Sequence, residues 1–314
     1  MTKTIDLATL NYYEQEPEDN TFQDIFVDIT HRCNMECKNC YLPTRTPPDM
    51  QLEKFKEFVK RIKGKCMIRI VGAEPTLHPH CVEFIKAALG AGHLCILITN
   101  GLRLSSESYV KKLQDTGLQH VYISMNGVDK NEWYQEIDDM PCAKKKLKAF
   151  KNIANKFSID VGTIIVKGVN EGAPKRMMDL IKEHNVQNIT MRIKNVGQIG
   201  RYMEDETENM KLEDLVKLCS EQFNLPEKYI WDFYKTNHRY AGAPEVCGIE
   251  FPLDQTQDPK FRYQGRWVKL TNWDTDNEVG IPDPGSTRRG RITPEWKIAP
   301  FYEHLKLNED GSGY

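Results

Sequence analysis

Two rhythms of apolar positions alternate along the chain. Residues 24–30, 66–71, 94–99, 119–125, 159–166 and 188–193 are short runs rich in Ile, Val and Leu, with the length of buried strands. Residues 51–63 place Leu52, Phe55, Phe58, Val59 and Ile62 at helical spacing. Helices are likewise predicted over 80–90, 106–116, 144–156 and 174–184, with a last one over 211–223. Gly117 stands where the end of a helix favours glycine. Residues 129–140 are read as less regular.

About six strand–helix units in a row imply an α/β fold: a parallel sheet with right-handed crossovers, curled into a partial or full barrel. In such barrels function gathers on loops at the C-terminal ends of the strands. The alternation covers residues 22–223. A polar arm, 1–21, precedes it. After it the pattern breaks, and 224–314 form an extension holding Trp231, Trp267, Trp273 and Trp296 among many prolines and glycines. There Phe261–Thr271 reads as one strand. The extension is expected to cover the barrel mouth or its open edge; a separate small domain is the other reading.

Composition removes several function classes. The chain has 314 residues and a formal net charge of −2, which makes no case for nucleic acid or an anionic membrane surface. Residues 1–20 are acidic and polar, without the basic and apolar regions of a signal peptide. The apolar stretch 94–98 is far shorter than a membrane span. Nine cysteines without a secretory signal fit a reducing, cytoplasmic setting.

The chemistry is concentrated in Cys33, Cys37 and Cys40, spaced C-x3-C-x2-C just beyond the strand 24–30. Thiolates are soft ligands for zinc or for iron–sulfur clusters. Structural zinc commonly takes four ligands from two separated C-x2-C pairs, and no second such pair occurs. Cysteines 66, 81, 95, 142, 219 and 247 supply no evident fourth ligand by spacing. Three thiolates suit a 4Fe–4S cluster with one iron left open, whereas ordinary ferredoxins fill all four positions. Zinc, or thiols with no metal, are the bland readings.

This spacing, with Tyr41 directly after it, resembles the cluster loop of the radical S-adenosylmethionine (radical SAM) superfamily. The resemblance implies a partial (β/α)6 TIM-like barrel with a C-terminal extension. It also implies one 4Fe–4S cluster, whose open iron is chelated by S-adenosylmethionine. Reductive cleavage would then yield a 5′-deoxyadenosyl radical that abstracts hydrogen from the substrate. Gly72-Ala73-Glu74-Pro75 resembles the family's G-G-E-P motif, with Ala73 in place of the second glycine. In the family that motif receives the methionyl ammonium. Thr99-Asn100-Gly101 and Ser124-Met125-Asn126-Gly127 resemble its T-N-G and S-x-[DN]-G strand endings. By match, Tyr41, Gly72, Ala73, Glu74, Thr99, Asn100, Ser124 and Asn126 are expected to contact the cofactor. Asn-Gly is also an ordinary turn dipeptide.

Within the superfamily, the stretches around Arg69 and Lys167-Gly168-Val169-Asn170 look like the GTP 3′,8-cyclases of molybdenum-cofactor synthesis. The resemblance assigns Arg69 and Lys167 to an anionic substrate or to the carboxylate of S-adenosylmethionine. A salt bridge at the barrel mouth is the equal alternative. Two departures stand out: Phe26 replaces an arginine of those cyclases, and their second, C-terminal cluster has no counterpart here. Arg192, at the end of the sixth strand, is expected to neutralise a carboxylate such as the cofactor's, with a surface role the equal alternative, and Cys247 is a hydrogen-donor candidate that more often would be structural. Residues 287–291 form a basic cluster that could cradle phosphate, although a solvated loop is the commoner outcome. His78-Pro79-His80 reads as a helix start.

The function so expected is a radical SAM enzyme acting on a small, anionic, nucleotide- or sugar-like substrate. A flavodoxin- or ferredoxin-type electron donor is implied by resemblance only. Modification of a peptide or protein is the alternative within the class. A non-catalytic iron–sulfur redox or sensing protein is the alternative outside it.

Overall fold

The computed structural model describes residues 13–40, 42, 48–196, 210–236, 260–271 and 289–300. Six parallel strands form its centre: β1 (Asp24–Asp28), β2 (Met67–Val71), β3 (Leu94–Thr99), β4 (His120–Ser124), β5 (Ser158–Ile165) and β6 (Ile189–Asn195). They lie side by side in chain order, and the sheet does not close on itself among the described strands. This is the expected α/β partial barrel. All six C-terminal ends meet at one rim.

The helices are α1 (Leu52–Arg61), α2 (Cys81–Gly90), α3 (Glu107–Gln114), α4 (Asn131–Asp138), α5 (Ala143–Ile153), α6 (Ala173–Glu183), α7 (Leu212–Phe223) and α8 (Glu227–Thr236). Their apolar stripes explain them. Phe55, Phe58 and Val59 of α1 and Phe84, Ile85 and Ala88 of α2 pack with Ile25, Val27, Ile68 and Ile70 of the sheet in one core. Capping assists: the Ser106 hydroxyl accepts from the Tyr109 amide at the start of α3, and Pro174 occupies the first turn of α6. His78 and His80 immediately precede α2, and the His80 amide donates to His78 Nδ1 at 3.0 Å. Among the described residues no helix is long and apolar enough to cross a membrane.

Three local expectations need correction. Residues 129–140 contain α4, whose buried stripe is Tyr134, Ile137 and Asp138. Phe261–Thr271 is not one strand but a hairpin, β7 (Lys260–Tyr263) and β8 (Arg266–Thr271). Its turn residues, Gln264 and Gly265, have φ of 49° and 79°, as a two-residue type I′ loop requires. The basic cluster is not wholly a solvated loop: Arg289–Ile292 is strand β9, and Arg291 is buried against Asp28 at 2.8 Å. Thr287 and Arg288 lie outside the described residues.

The hairpin and β9 extend the sheet at both ends. β8 pairs in parallel with β6; β9 pairs in parallel with β1 and is flanked by antiparallel β10 (Ile298–Pro300). The full order is β10-β9-β1-β2-β3-β4-β5-β6-β8-β7. Successive strand residues point to opposite faces. The face away from the helices therefore carries Asp24, Phe26, Arg69, Ile96, Tyr122, Asp160 and Arg192.

Candidate active site at the C-terminal rim

The cysteine loop leaves β1 and is held by its neighbours at the rim. The amides of Ala73 and Glu74 donate to the carbonyls of Thr30 and Arg32, both at 2.9 Å. Gly72 has φ of 133°, and a Cβ there would overlap the Thr30 carbonyl oxygen. This close approach explains why the first glycine of the motif stays while its second position tolerates Ala73. Further along, the Lys38 amide donates to Ile137 O at 2.9 Å, joining the loop to α4. Cys33 and Cys37 pack against a small apolar cluster of Met35, Leu102, Tyr134, Cys142 and Ala143.

Glu74 is the hub between β2 and β3. It is 1% exposed. Its Oε1 accepts from the Thr76 amide at 3.0 Å, the Thr76 hydroxyl at 2.5 Å and the Thr99 hydroxyl at 2.7 Å. Its Oε2 accepts from the Asn100 amide at 2.7 Å. Asn100 in turn reaches the cysteine loop, Nδ2 donating to Asn34 Oδ1 at 2.8 Å.

Asn126 is a second hub. Its Nδ2 donates to Asp138 Oδ1 at 2.7 Å, and its Oδ1 accepts from the Ile164 amide at 3.0 Å. Two residues that sequence reasoning missed complete this network. Lys146 is 0% exposed and donates to the carbonyls of Asn100 at 2.5 Å and Ser124 at 2.8 Å. It thereby ties the ends of β3 and β4. Asp138 is buried beside Cys37; burial pushes the Asp138 carboxyl above its ordinary range, against the pull of Lys146. Burial, then the Asp138 charge, raises the Cys37 thiol. Both residues fall on the buried stripes of their helices, which was the available signal.

The remaining expected residues are spread more widely. Arg69 donates from Nε to Asp24 Oδ1 at 2.5 Å, toward the N-terminal start of β1, with its guanidinium 5.4 Å from the Phe26 ring centroid. Lys167 is exposed on the turn after β5. Arg192 grips Asp160 Oδ2 through Nε at 2.7 Å and a terminal nitrogen at 2.5 Å. Asp160 is buried, which alone would raise its carboxyl; Arg192 and His120 outweigh this and hold it well below the usual range. Tyr41 and Cys247 lie outside the described residues.

The donor set suits an iron–sulfur cluster: Cys33, Cys37 and Cys40 are half-buried thiols outside any disulfide, on one short loop. Among the described residues no three His, Cys, Asp or Glu side chains gather as a single-ion site. In a cubane each thiolate would bind a different iron.

Residues 27–181 match the family model described as the radical SAM superfamily. The chain is 28% identical over 155 residues to the 7,8-dihydro-6-hydroxymethylpterin dimethyltransferase of Methanocaldococcus jannaschii, covering 46% of this chain and 30% of that protein. It is 28% identical over 294 residues to the GTP 3′,8-cyclase of Helicobacter pylori, covering 88% of this chain and 79% of that protein. Its fold is similar to Streptococcus suis SuiB, solved with the precursor peptide SuiA, at a TM-score of 0.55 and 17% identity over 74% of this chain and 53% of that one. The motif-bearing rim and these matches agree: residues 27–181, about half of the chain, are a radical SAM domain, of a superfamily whose enzymes use a 4Fe–4S cluster and S-adenosylmethionine.

Proposed function

We propose that this protein is a radical SAM enzyme acting on a small anionic substrate of nucleotide or sugar type. Cys33, Cys37 and Cys40 hold the cluster, leaving one iron for S-adenosylmethionine. When bound, this pair would supply a 5′-deoxyadenosyl radical, formed together with methionine by consuming one electron and able to take hydrogen from an unactivated carbon. The protein's own part is orientation and exclusion of water. The observation that carries the reading is the convergence of the Gly72–Glu74 turn, Asn100 and Asn126 with the cysteine loop at one rim.

Each rim residue has a role in this reading. Glu74 is buried under its own turn and holds it in shape, so backbone acceptors around half-buried Ala73 meet the methionyl ammonium. Lys146 fixes the Asn100 and Ser124 carbonyls, leaving the Ser124 side chain for the cofactor. Arg192, Thr99, Asn126 and Tyr41 complete the proposed cofactor contacts, and Arg69 and Lys167 are proposed for the substrate. Residues 224–314 act as an extension that shields the site. A flavodoxin or ferredoxin in a reducing cytoplasm supplies the electron. The GTP cyclase relative, matched over 79% of its length, supports a nucleotide-like substrate over a peptide.

The test needs no substrate. Protein reconstituted without oxygen is given S-adenosylmethionine and dithionite, and 5′-deoxyadenosine is measured by mass spectrometry. The expected result is product from wild type and none from Cys37→Ala. No product, and no change in the cluster's paramagnetic resonance on adding S-adenosylmethionine, would overturn the reading in favour of an electron carrier.

A further inference from the structure

Helix α5 is strongly one-sided in charge. Between Asp139 and Asp160 the sequence has six lysines and no acid. One of them, Lys146, is buried under the rim. Lys144, Lys145, Lys148 and Lys151 of α5, and Lys156 just beyond it, are exposed. Lys144, Lys148 and Lys151 recur at i, i+4 and i+7, so they form one stripe along the outer face, with Lys145 beside it. Among the described residues none of these exposed lysines is ion-paired with a carboxylate.

The stripe begins at the cysteine loop. α5 starts at the rim, where Cys142 and Ala143 join Met35, Cys33 and Cys37 in one small apolar cluster. Half-buried Met140, in the turn leading into the helix, belongs to the same cluster, and Pro141 next to it is exposed. A thin layer of side chains therefore separates the outer surface from the cysteines here. At a rise of about 1.5 Å per residue, Lys144 and Lys148 stand within about 8 Å, along the axis, of Ala143. Neighbouring acids are engaged elsewhere: Glu136 of α4 pairs with Lys38, Glu132 with Lys130, Asp129 with Arg176, and Asp179 of α6 with Lys175. Glu183 of α6 shares with Lys148 and Lys151 the lining of a groove of about 430 Å³.

We propose that the stripe of Lys144, Lys148 and Lys151 on α5 is the docking surface for a small acidic electron-carrier protein, which delivers to the cluster the electron that cofactor cleavage consumes. This rests on the reading of the protein as a radical SAM enzyme, and names the surface that its reductant uses. The transfer oxidises the carrier by one electron and reduces the cluster by one. The exposed positions of α5 hold no arginine and no aromatic ring on which a base could stack, so the stripe fits an acidic protein better than a nucleic acid. Hydrated ammonium groups on flexible stems suit a brief encounter: they steer an acidic partner in without locking it in place. Electron-transfer contacts are of this small, transient kind.

The test is stopped-flow reduction of the reconstituted protein, without oxygen, by a reduced flavodoxin of net negative charge, followed through the visible absorbance of the cluster. The second-order rate is expected to fall as salt is raised. Lys144→Glu combined with Lys148→Glu should lower that rate about tenfold or more at low salt, the scale of lost electrostatic steering. Dithionite should reduce the same variant at close to the wild-type rate, which shows it folded and loaded. Lys144→Arg with Lys148→Arg keeps the charge and should keep the flavodoxin rate. Lys86→Glu, exposed on α2, should also react as wild type does. No reduction of wild type by flavodoxin, a rate indifferent to salt and to the double charge reversal, or an equal loss in Lys86→Glu would overturn the docking surface. So would Lys148-dependent binding of a single-stranded oligonucleotide with no change in reduction. A cluster that dithionite reduces but that never cleaves S-adenosylmethionine would sink the enzyme reading instead, so the two failures are read separately.

Discussion

Asn100, at the end of β3, donates from Nδ2 to Oδ1 of Asn34 inside the cysteine loop, at 2.8 Å. With the Asn100 amide on Glu74, this one residue fastens the loop to both β2 and β3. Asn100→Ala also removes the bond that its Oδ1 accepts from the Leu102 amide at 3.0 Å, so it should lose about 1–3 kcal/mol of stability, as two partly exposed hydrogen bonds would. Its larger effect should be on the loop: faster loss of iron to a chelator than in wild type, with iron and sulfide measured per chain. Unchanged iron loss would show that the bond does not hold the loop.

Lys146 is expected to be the rim residue least tolerant of change. Lys146→Ala would strand two carbonyls and leave Asp138 buried without the nearby cation. The expected loss is about 3–5 kcal/mol, two buried hydrogen bonds from a charged donor at about 1.5–3 kcal/mol each. Urea unfolding would measure it. Lys146→Met combined with Asp138→Asn should recover part of that loss, because the orphaned charge is gone.

Asp160 predicts acid sensitivity. Its folded carboxyl lies below the unfolded value, held there by Arg192 and His120 against burial. Its stabilisation is therefore fully present above about pH 4, the ordinary aspartate range, and is lost as pH falls below it. Asp160→Asn should lower stability at neutral pH by about 3–5 kcal/mol and flatten the decline below pH 4. Urea midpoints across that range would show both effects.

Gly72→Ala tests the approach of two backbone segments. The φ of 133° is strained for any side chain, at about 1–3 kcal/mol, and the overlap with Thr30 O adds to this. Ala73→Gly, which restores the family's second glycine, should fold normally. Comparing the two variants by thermal unfolding separates backbone strain from a general need for small residues at the turn.

The strands, most helices and the cysteine loop were legible because apolar period and cysteine spacing are local signals. α4 was not. Lys130 at its start makes no side-chain cap bond, and Asp139 takes the left-handed position where glycine is usual. Its stripe also contains an acid, Asp138, whose burial depends on Asn126 and Lys146 from other elements. The β7–β8 hairpin was hidden for another reason: Gln-Gly is a weak turn signal beside Asn-Gly. The place of β8 could not be read from the chain at all: it pairs with β6 although β7 comes between them in sequence.

The pairing of β1 with β9 has a consequence for how the protein is made. Asp24 and Arg289 are neighbours although 265 positions (289 − 24) separate them. Closing so long a loop is slow, and contacts this distant form late. During synthesis the strand bearing the cysteine loop has a neighbour on one side only, until residues 289–292 have emerged. A stop before Ile292 would leave that strand as a raw edge, open to pairing with another chain.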